Sequence, residues 1–173
     1  MNKIAKFEKV SEEQFIKDAT KSLDSHNLYT EDGLRRLYKE IQLPSRATTG
    51  SAGYDFKIPF DMLLNKGNEY LIPTGIRAKI SDGWVLKIYP RSGLGFKYGL
   101  QLLNTVGIID SDYYNSDNEG HIMIKITHTI GDYMLKLKQG DGFAQGIFLQ
   151  YGITEDDDVN GIRNGGFGST SKK

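Results

Sequence analysis

Apolar residues near the N-terminus recur at helical spacing. Ser11, with Gln14 three positions later, has the pattern of an N-terminal capping box in which Ser11 is the N-cap. Phe15, Ile16 and Ala19 then supply an apolar stripe. The pattern predicts a helix of about two to three turns that begins after Ser11.

A second helix is predicted from residue 30 to about residue 41. Leu34, Leu37 and Ile41 recur at helical spacing. Pro44 is compatible with the end of this helix, because proline disfavours the helical conformation in the residue before it. Residues 11 to 41 therefore form a predicted helical insertion within a single domain of residues 1 to 173.

After Pro44 the pattern changes to short apolar runs separated by turn residues, and several of these runs are partly alternating. Short strands at close spacing predict an all-β sandwich or barrel over residues 45 to 151. The predicted strands span residues 54–58, 70–72, 75–80, 84–89, 121–130, 133–137 and 143–149, and residues 4–10 are a further candidate.

Composition narrows the possible functions. The 22 Lys and Arg residues are balanced by 22 Asp and Glu residues, so no overall positive field favours nucleic-acid binding. Phosphate chemistry would have to come from a local cluster. The chain has no cysteine, which excludes disulfides, thiolate metal sites and a cysteine nucleophile.

Targeting signals are not evident. The N-terminus has no apolar segment of the signal-peptide type, and no apolar run approaches the length needed to span a membrane. We therefore expect a cytoplasmic protein with no membrane partner. The histidines at 26, 121 and 128 have no metal-ligand spacing.

A first candidate for phosphate binding is the segment Arg91-Ser92-Gly93. Arginine binds phosphate oxygens in a bidentate manner, serine adds a donor, and glycine lets backbone N–H groups approach an anion closely. The alternative is a turn at the end of a strand with one surface arginine.

A second candidate is the glycine-rich segment of residues 165 to 170, in which glycines surround Phe167 and two hydroxyl residues follow. Such a segment suits an arm, predicted over residues 152 to 173, that lays a ring on a flat ligand and donates hydrogen bonds to phosphates. The alternative is a disordered glycine-rich tail.

A third candidate is the pair Asp110 and Asp112, which would share one face of an extended strand. A carboxylate at a strand end near bound phosphates could act as a general base for water. The alternative is a polar hairpin mouth in which Asp112 caps a turn.

Five segments, in this order, resemble the five motifs of the trimeric dUTPase family of bacterial or phage type. They are residues 47–55, 90–94, 107–113, 140–145 and 165–170, and the resemblance covers about residues 45 to 171. It implies a jelly-roll-like β-barrel that forms a homotrimer, with each active site drawing on all three subunits. It also implies Mg²⁺-dependent hydrolysis of dUTP to dUMP and pyrophosphate.

By this resemblance, Asp110 is the general base that activates a water for attack on the α-phosphorus. Arg91, Ser92, Gly93 and Gln145 resemble the set that binds phosphates.

The resemblance also implies a metal arrangement. Mg²⁺ would be held mainly by the triphosphate and water, so no cluster of protein ligands is expected. Asp55 resembles the motif carboxylate near the metal, acting through water, and a structural turn acid is its alternative.

Uracil recognition in this family uses backbone groups of a hairpin after the third motif, aided by Asn104, and Gly107 and Ile109 are further candidate substrate contacts. Tyr113 resembles the residue that packs under the deoxyribose and excludes a 2′-hydroxyl.

The arm completes the implied site. Phe167 resembles the ring that covers uracil, while Gly168, Ser169 and Thr170 would contact substrate from the same arm. Closure of the arm would exclude water other than the attacking one.

Three positions depart from the family pattern. The third motif is followed by residues 114–119 before Gly120, where the family usually has one residue, so the expected hairpin is longer by a few residues. Gly142 stands where the fourth motif commonly has arginine, and we expect little loss from this change. Ile162 stands where the last motif has arginine, and Arg163 is expected to take its place at the γ-phosphate.

Two other functions compete with this interpretation. dCTP deaminases share the fold but need a glutamate where this chain has Lys125, so deamination is disfavoured. A phage-type dUTPase with an added regulatory role is the second alternative, and the N-terminal segment would then offer a surface to a protein partner.

Overall fold

Short antiparallel strands dominate residues 2–23 and 29–161, the part of the chain described by the computed structural model. The strands are β1 (Ala5–Lys9), β2 (Ser45–Arg46), β3 (Tyr54–Lys57), β4 (Met62–Leu64), β5 (Tyr70–Pro73), β6 (Ile76–Ile80), β7 (Trp84–Pro90), β8 (Gln101–Leu102), β9 (Gly107–Ile109), β10 (Met123–Thr127), β11 (Leu135–Leu137) and β12 (Gly142–Gln150). The helices are α1 (Glu12–Leu23), α2 (Glu31–Glu40) and α3 (Ser92–Tyr98), with a 3-10 helix at Ser111–Asn115.

The strands form several antiparallel sheets. The largest has the order β2-β3-β12-β7-β9, and a three-stranded sheet has the order β5-β10-β8. Strands β1 and β6 form one pair, and β4 and β11 form another. This arrangement confirms the predicted all-β, jelly-roll-like body. No helix within the described ranges has the length and apolar character needed to cross a bilayer.

Strand β7 is central to the large sheet, because it pairs with β12 on one side and with β9 on the other. Leu86 and Ile88 of β7 are buried, while Lys87 between them is only partly buried, as the two-residue period of a strand requires. Leu86 lies opposite Ile109, and Ile88 lies opposite Gly107. This register sets the position of the residues that follow β9.

Both predicted N-terminal helices are present. Ser11 caps α1, since its Oγ accepts a hydrogen bond from the backbone N of Gln14 at 3.1 Å. The second half of the predicted capping box is wrong, because the Gln14 amide donates to Asp18 Oδ2 at 2.7 Å instead. Thr30 caps α2 and accepts from the backbone N of Gly33.

The N-terminal segment, defined here as residues 2–23, belongs to the core. Phe15 and Ala19 of α1 are fully buried, as is Val10, which directly follows β1. Strand β1 pairs along its whole length with β6, from Ala5 opposite Ile80 to Lys9 opposite Ile76. Apolar burial on this scale stabilises the fold by about 2 kcal/mol per large side chain, so the segment is not a detachable decoration.

Helix α3 was not predicted, because Gly93 and Gly95 lower the helix propensity of its sequence. Gly99 ends it in the left-handed conformation, with φ of 61°, and its backbone N–H bonds to the carbonyls of Gly95 and Leu94. The interpretation of residues 90–95 as a simple turn after β7 is therefore wrong. Strands β2, β4 and β8 were also missed, since two or three residues give almost no periodic signal.

Hydrogen bonds to carboxylate groups join the N-terminal segment to the loop segment, defined here as residues 114–121. The backbone N and Oγ of Ser11 donate to the two carboxylate oxygens of Glu119 at 2.7 and 2.6 Å. Asp18 Oδ2 lies 2.6 Å from Nδ1 of His121, which is fully buried. Tyr114 donates its hydroxyl to Glu8 Oε2 at 2.5 Å.

The carboxyl groups in these contacts have lowered pKa values. Hydrogen bonds from Lys6 and Tyr114 lower the pKa of Glu8. Burial by itself would raise the pKa of Asp18, but hydrogen bonds from His121 and Gln14 outweigh it and lower that pKa. The pKa of Glu119 is lowered in the same way, since hydrogen bonds from Ser11 outweigh its burial.

These shifts predict acid-sensitive stability. A carboxyl whose pKa is lowered on folding stabilises the protein above its unfolded pKa of about 4, and that contribution is lost as pH falls through the folded value. We expect the melting temperature of the wild type to fall more steeply between pH 6 and pH 3 than that of Asp18→Asn/Glu119→Gln. The pair Glu31→Gln/Asp132→Asn, which changes exposed carboxylates, should follow the wild type. Equal slopes in all three proteins would contradict the prediction.

Candidate active site

A cavity of about 610 Å³ opens beside strands β9 and β10. Its walls include four of the residues predicted to contact the nucleoside, namely Asn104, Gly107, Ile109 and Tyr113. Apolar residues from β8 and β10 supply much of the remaining wall, and Lys125 adds one cation. A largely apolar cavity with few polar groups suits a flat heterocycle and a sugar ring.

The loop that lines this cavity comes before Asp110 and not after it. Residues 103–106 form a tight turn between β8 and β9, with hydrogen bonds from Thr105 N to Leu102 O and from Val106 N to Asn104 O. Thr105 has a φ of 65°, a left-handed conformation that is rare for a β-branched residue. A turn of this kind is hard to predict, because the sequence offers no glycine or asparagine at the left-handed position.

The predicted hairpin after the third motif is therefore wrong. Strand β9 belongs to the five-stranded sheet and β10 to the three-stranded sheet. The chain crosses between them through the 3-10 helix Ser111–Asn115 and the loop segment. Gly120, with φ of 69°, closes this crossing, and a Cβ there would lie 2.7 Å from the carbonyl oxygen of Tyr113.

Asp110 lies at the end of β9, where the backbone is still extended with φ of −81° and ψ of 160°. It is the N-cap residue of the 3-10 helix, and its carbonyl accepts from the backbone N of Tyr113 at 3.2 Å. Asp112 lies inside that helix. The prediction that the two carboxylates share one face of a strand is therefore wrong, since the backbone changes conformation between them.

Tyr113 is held firmly in the cavity wall. Its side chain is 5% exposed. The hydroxyl donates to the carbonyl oxygen of His121 at 2.8 Å and accepts from Nδ2 of Asn118 at 2.8 Å. No functional role was predicted for His121 or Asn118 from the sequence. Neither residue lies in a sequence pattern that would indicate this contact.

The predicted phosphate-binding residues lie together at a different place. Arg91, Ser92 and Gly93 line a second cavity of about 440 Å³ with Asp141 and Gly142. These residues come from the end of β7, the start of α3 and the start of β12.

Asp55 and Gln145 flank this group. Arg91 Nε lies 3.3 Å from Oδ1 of Asp55. Gln145 is opposite Asp55 in the strand register, and its amide donates to the carbonyl oxygen of Pro90 at 3.2 Å. The arrangement brings one guanidinium, one amide and one carboxylate to the same end of the sheet.

Gly142 lies directly against the side chain of Arg91. A Cβ placed there would lie 3.1 Å from Cδ and 3.2 Å from Cζ of Arg91. The missing side chain therefore leaves room for Arg91 to lie across the start of β12.

The two groups stand apart within one chain. Ile109 pairs with Leu86, so the next position, Asp110, lies near Val85, and Arg91 is six residues after Val85, directly beyond the end of β7 at Pro90. At about 3.3 Å per residue the separation is about 20 Å, too far for both side chains to contact one phosphate group. The remaining predicted contacts, at Arg163, Phe167, Gly168, Ser169 and Thr170, lie outside the described residues.

The chain is similar to known proteins over most of its length. A dUTPase family model matches residues 39–171. The deoxyuridine 5′-triphosphate nucleotidohydrolase of Lactococcus lactis is 40% identical over 133 residues, which are 75% of this chain and 88% of that protein. The chain belongs to the dUTPase family. This dUTPase is therefore an enzyme of the nucleotidohydrolase class.

Solved structures agree with the family. This dUTPase is 38% identical to a dUTPase from Streptococcus mutans, with a TM-score of 0.60 and coverage of 67% of this chain and 91% of that chain. A dUTPase from phage phi11 of S. aureus is 21% identical with a TM-score of 0.57, covering 72% of this chain and 92% of that chain, and shares the fold. Residues before 39, including α1 and most of α2, precede the family match.

The contacts of Tyr113 predict a stability cost. Tyr113→Phe removes a buried hydroxyl and leaves polar partners at His121 and Asn118 with fewer hydrogen bonds. We expect a loss of about 1 to 3 kcal/mol in the free energy of unfolding, measured by urea denaturation. Tyr133→Phe, at a half-exposed ring, is the matched control and should change little. A Tyr113→Phe protein as stable as wild type would show that these hydrogen bonds contribute nothing net.

Proposed function

We propose that this dUTPase hydrolyses dUTP to dUMP and pyrophosphate at sites assembled from different copies of the chain. The observation that carries the proposal is the separation of Asp110 from Arg91 by the length of β7. A nucleoside cavity with a carboxylate at one end, and the group around Arg91 about 20 Å away, form two half-sites. Each needs the complementary half-site of a neighbour.

In the proposed reaction, Asp110 takes a proton from a water molecule as that water attacks the α-phosphorus. A new P–O bond forms to the water oxygen, and the bond from the α-phosphorus to the bridging oxygen breaks. Pyrophosphate leaves with the electron pair of that bond. The position of Asp110, just outside the nucleoside cavity at the end of β9, supports this role.

The nucleoside half-site accounts for base and sugar selection. Backbone groups of Gly107 and Ile109, with Asn104, would match the hydrogen-bonding edge of uracil. Cytosine would be rejected because its donor and acceptor are exchanged. The buried Tyr113 ring would lie under the deoxyribose and leave no space for a 2′-hydroxyl, a role supported by its fixed position in the cavity wall.

The phosphate half-site would hold the leaving group. Arg91 supplies a planar guanidinium for bidentate contact with phosphate oxygens. Its ion pair with Asp55 restricts its rotamers before substrate binds. Ser92, Gly93 and Gln145 add donors around the same cavity and would share the charge of the triphosphate.

The residues of the phosphate half-site also fit a magnesium ion that is held mainly by the substrate. A dUTPase from phage phi11 coordinates a structural Mg(II) ion. In this chain Asp55 is the carboxylate beside the phosphate-binding guanidinium, and Mg²⁺ commonly keeps several waters while binding one or two carboxylates plus phosphates. Mg²⁺ bound there with the triphosphate would neutralise charge on the leaving pyrophosphate, with Asp55 acting through water.

The number of copies follows from the family resemblance. We propose a homotrimer in which a third chain contributes the arm. Phe167 and Gly168 would then cover the base, while Arg163, Ser169 and Thr170 would reach phosphates. A closed threefold ring would complete three equivalent sites.

Deamination of dCTP is the nearest enzymatic alternative. Position 125 is a lysine whose Nζ pairs with a carboxylate oxygen of Glu69. A cation at this place in the cavity wall cannot act as the base that deaminases require, which favours hydrolysis.

The regulatory alternative stays a prediction. The dUTPases of phage 80alpha control transfer of virulence genes. They are 19% identical to this chain, and a likeness at that level shows only a shared fold. Phe15 and Leu34 are buried, so deletion of residues 1–40 would open the core. Substitutions on the exposed faces of α2 are the better test for a protein partner.

Asp110→Asn tests the chemical role. The variant keeps the shape of the side chain but removes the base, so we expect kcat to fall by at least about a hundredfold. Binding of a non-hydrolysable dUTP analogue, measured by calorimetry, should stay within about threefold of wild type. Turnover near the wild-type rate would refute the assignment of Asp110.

Mixed oligomers test the shared site. Asp110→Asn and Arg91→Ala chains should each be nearly inactive alone. After mixing and subunit exchange, about one quarter of the sites should combine an intact Asp110 with an intact Arg91, if assembly is random. A control mixture of Asp110→Asn with the double variant should stay inactive. No recovery in the first mixture would show that both residues act within one chain.

A further inference from the structure

The loop segment, residues 114–121, connects the candidate nucleoside half-site to the N-terminal segment. It begins directly after Tyr113 and ends at His121. The carbonyl oxygen of His121 accepts a hydrogen bond from the hydroxyl of Tyr113 at 2.8 Å. Any displacement of His121 would therefore move the hydrogen-bond partner of the ring that lines the cavity.

His121 is fixed from two sides by elements far away in sequence. The backbone N–H of Gly75 donates to Nε2 of the imidazole at 2.8 Å. Because Nε2 accepts, the neutral ring carries its proton on Nδ1 and donates it to Asp18 Oδ2 at 2.6 Å. The side chain of His121 is fully buried. Asp18 thus satisfies a donor that would otherwise be left without a partner in the interior.

A second set of contacts holds the other end of the loop segment. Glu119 has a φ of 58°, an unfavourable backbone conformation for a residue with a long side chain. Its carboxylate accepts both from the backbone and from the hydroxyl of Ser11. These bonds to the start of α1 favour the conformation that the backbone alone disfavours.

A third contact lies between these two. The guanidinium of Arg77 stacks on the ring of Tyr114, with Cζ 3.6 Å from the ring centroid. Glu8 of β1 accepts the Tyr114 hydroxyl, and Arg77 lies 3.8 Å from carboxylate oxygens of both Glu8 and Glu119. The residue that follows Tyr113 in the chain is therefore also held by the N-terminal segment.

From these three contacts we propose that the N-terminal segment is a positioning element of the nucleoside half-site. Asp18 of the N-terminal segment and Glu119 of the loop segment are the positioning residues, and they act on Tyr113 through His121 and the backbone of the loop segment. The proposal rests on the proposed function, since it assigns the segment a role in binding and selecting the deoxynucleotide. It also assigns a role to the lengthened loop of residues 114–119, because Tyr114 and Glu119 of this loop form the contacts with the N-terminal segment.

The test compares Asp18→Ala with Asp18→Asn. Alanine removes the acceptor for His121 Nδ1, whereas asparagine keeps an amide oxygen at the same place. Asp18→Ala should raise KM for dUTP about threefold to tenfold, the range expected for loss of one net hydrogen bond. The preference for dUTP over UTP in kcat/KM should fall by a similar factor, while kcat changes by less than about twofold. Asp18→Asn should restore most of both losses.

Amide hydrogen exchange supplies a readout that does not depend on turnover. In Asp18→Ala, the peptides that cover residues 110–121 should exchange faster than in wild type, while those that cover β12 should be unchanged. Asp132→Asn is the matched control, because its carboxylate is almost fully exposed and pairs only with Lys66 among the contacts of the described residues. It should match wild type in exchange, KM and selectivity.

Glu119→Ala provides a second variant if Asp18→Ala fails to fold. It removes both acceptors of the Ser11 hydrogen bonds at a part-buried surface position, so it loosens the loop segment without opening a hole in the core. Its expected effects on KM, selectivity and exchange are in the same direction, and Glu31→Ala at an exposed pair is its control.

The outcomes separate this proposal from the proposed function. An active wild type whose folded variants keep the same KM, selectivity and exchange would overturn the positioning role alone. Faster exchange with unchanged KM and selectivity would also overturn it, since the contacts would then be structural only. A wild type unable to hydrolyse dUTP would refute the proposed function and this proposal together.

Discussion

The pairing of β7 with β9 and β12 is the constraint on which the rest of the site depends. Antiparallel register places Asp110 beside one end of β7 and the Arg91 cluster beyond the other end. A strand is stiff and rises by about 3.3 Å per residue, so no side-chain rotation can bring these groups together. One chain therefore presents the candidate nucleoside cavity and the candidate phosphate cluster at separate places, and this separation is the basis of the proposed shared site.

The N-terminal segment and the loop segment depend on each other for a related reason. Each contains charged or polar groups whose partners lie in the other, as in Asp18 with His121 and Ser11 with Glu119. Removing one member of a buried polar pair is costly, because the remaining group loses both water and its partner. The N-terminal segment and the loop segment are thus coupled to each other, although about a hundred residues separate them in sequence.

Local patterns explain which parts of the fold could be predicted. The caps at Ser11 and Thr30, and the apolar stripes that follow them, lie within one turn of the helices they specify. Longer strands such as β7 and β12 could be recognised from their apolar runs. The turn at Thr105 could not, because its left-handed backbone is stabilised by the surrounding strands and not by its own residue type. Helix α3 was missed for a similar reason, since its two glycines oppose helix formation.

The sequence by itself determined the residue types that the proposed chemistry would use, a carboxylate at 110, a guanidinium at 91 and an aromatic ring at 113, together with the family whose motifs they resemble. Only the tertiary structure decided which of them share a cavity. Sheet register places Asn104 and Tyr113 together and keeps Arg91 apart. The partner of His121 was likewise decided by the packing of α1. Register and packing join residues through contacts between distant strands and helices, and no local pattern in the chain encodes those distances.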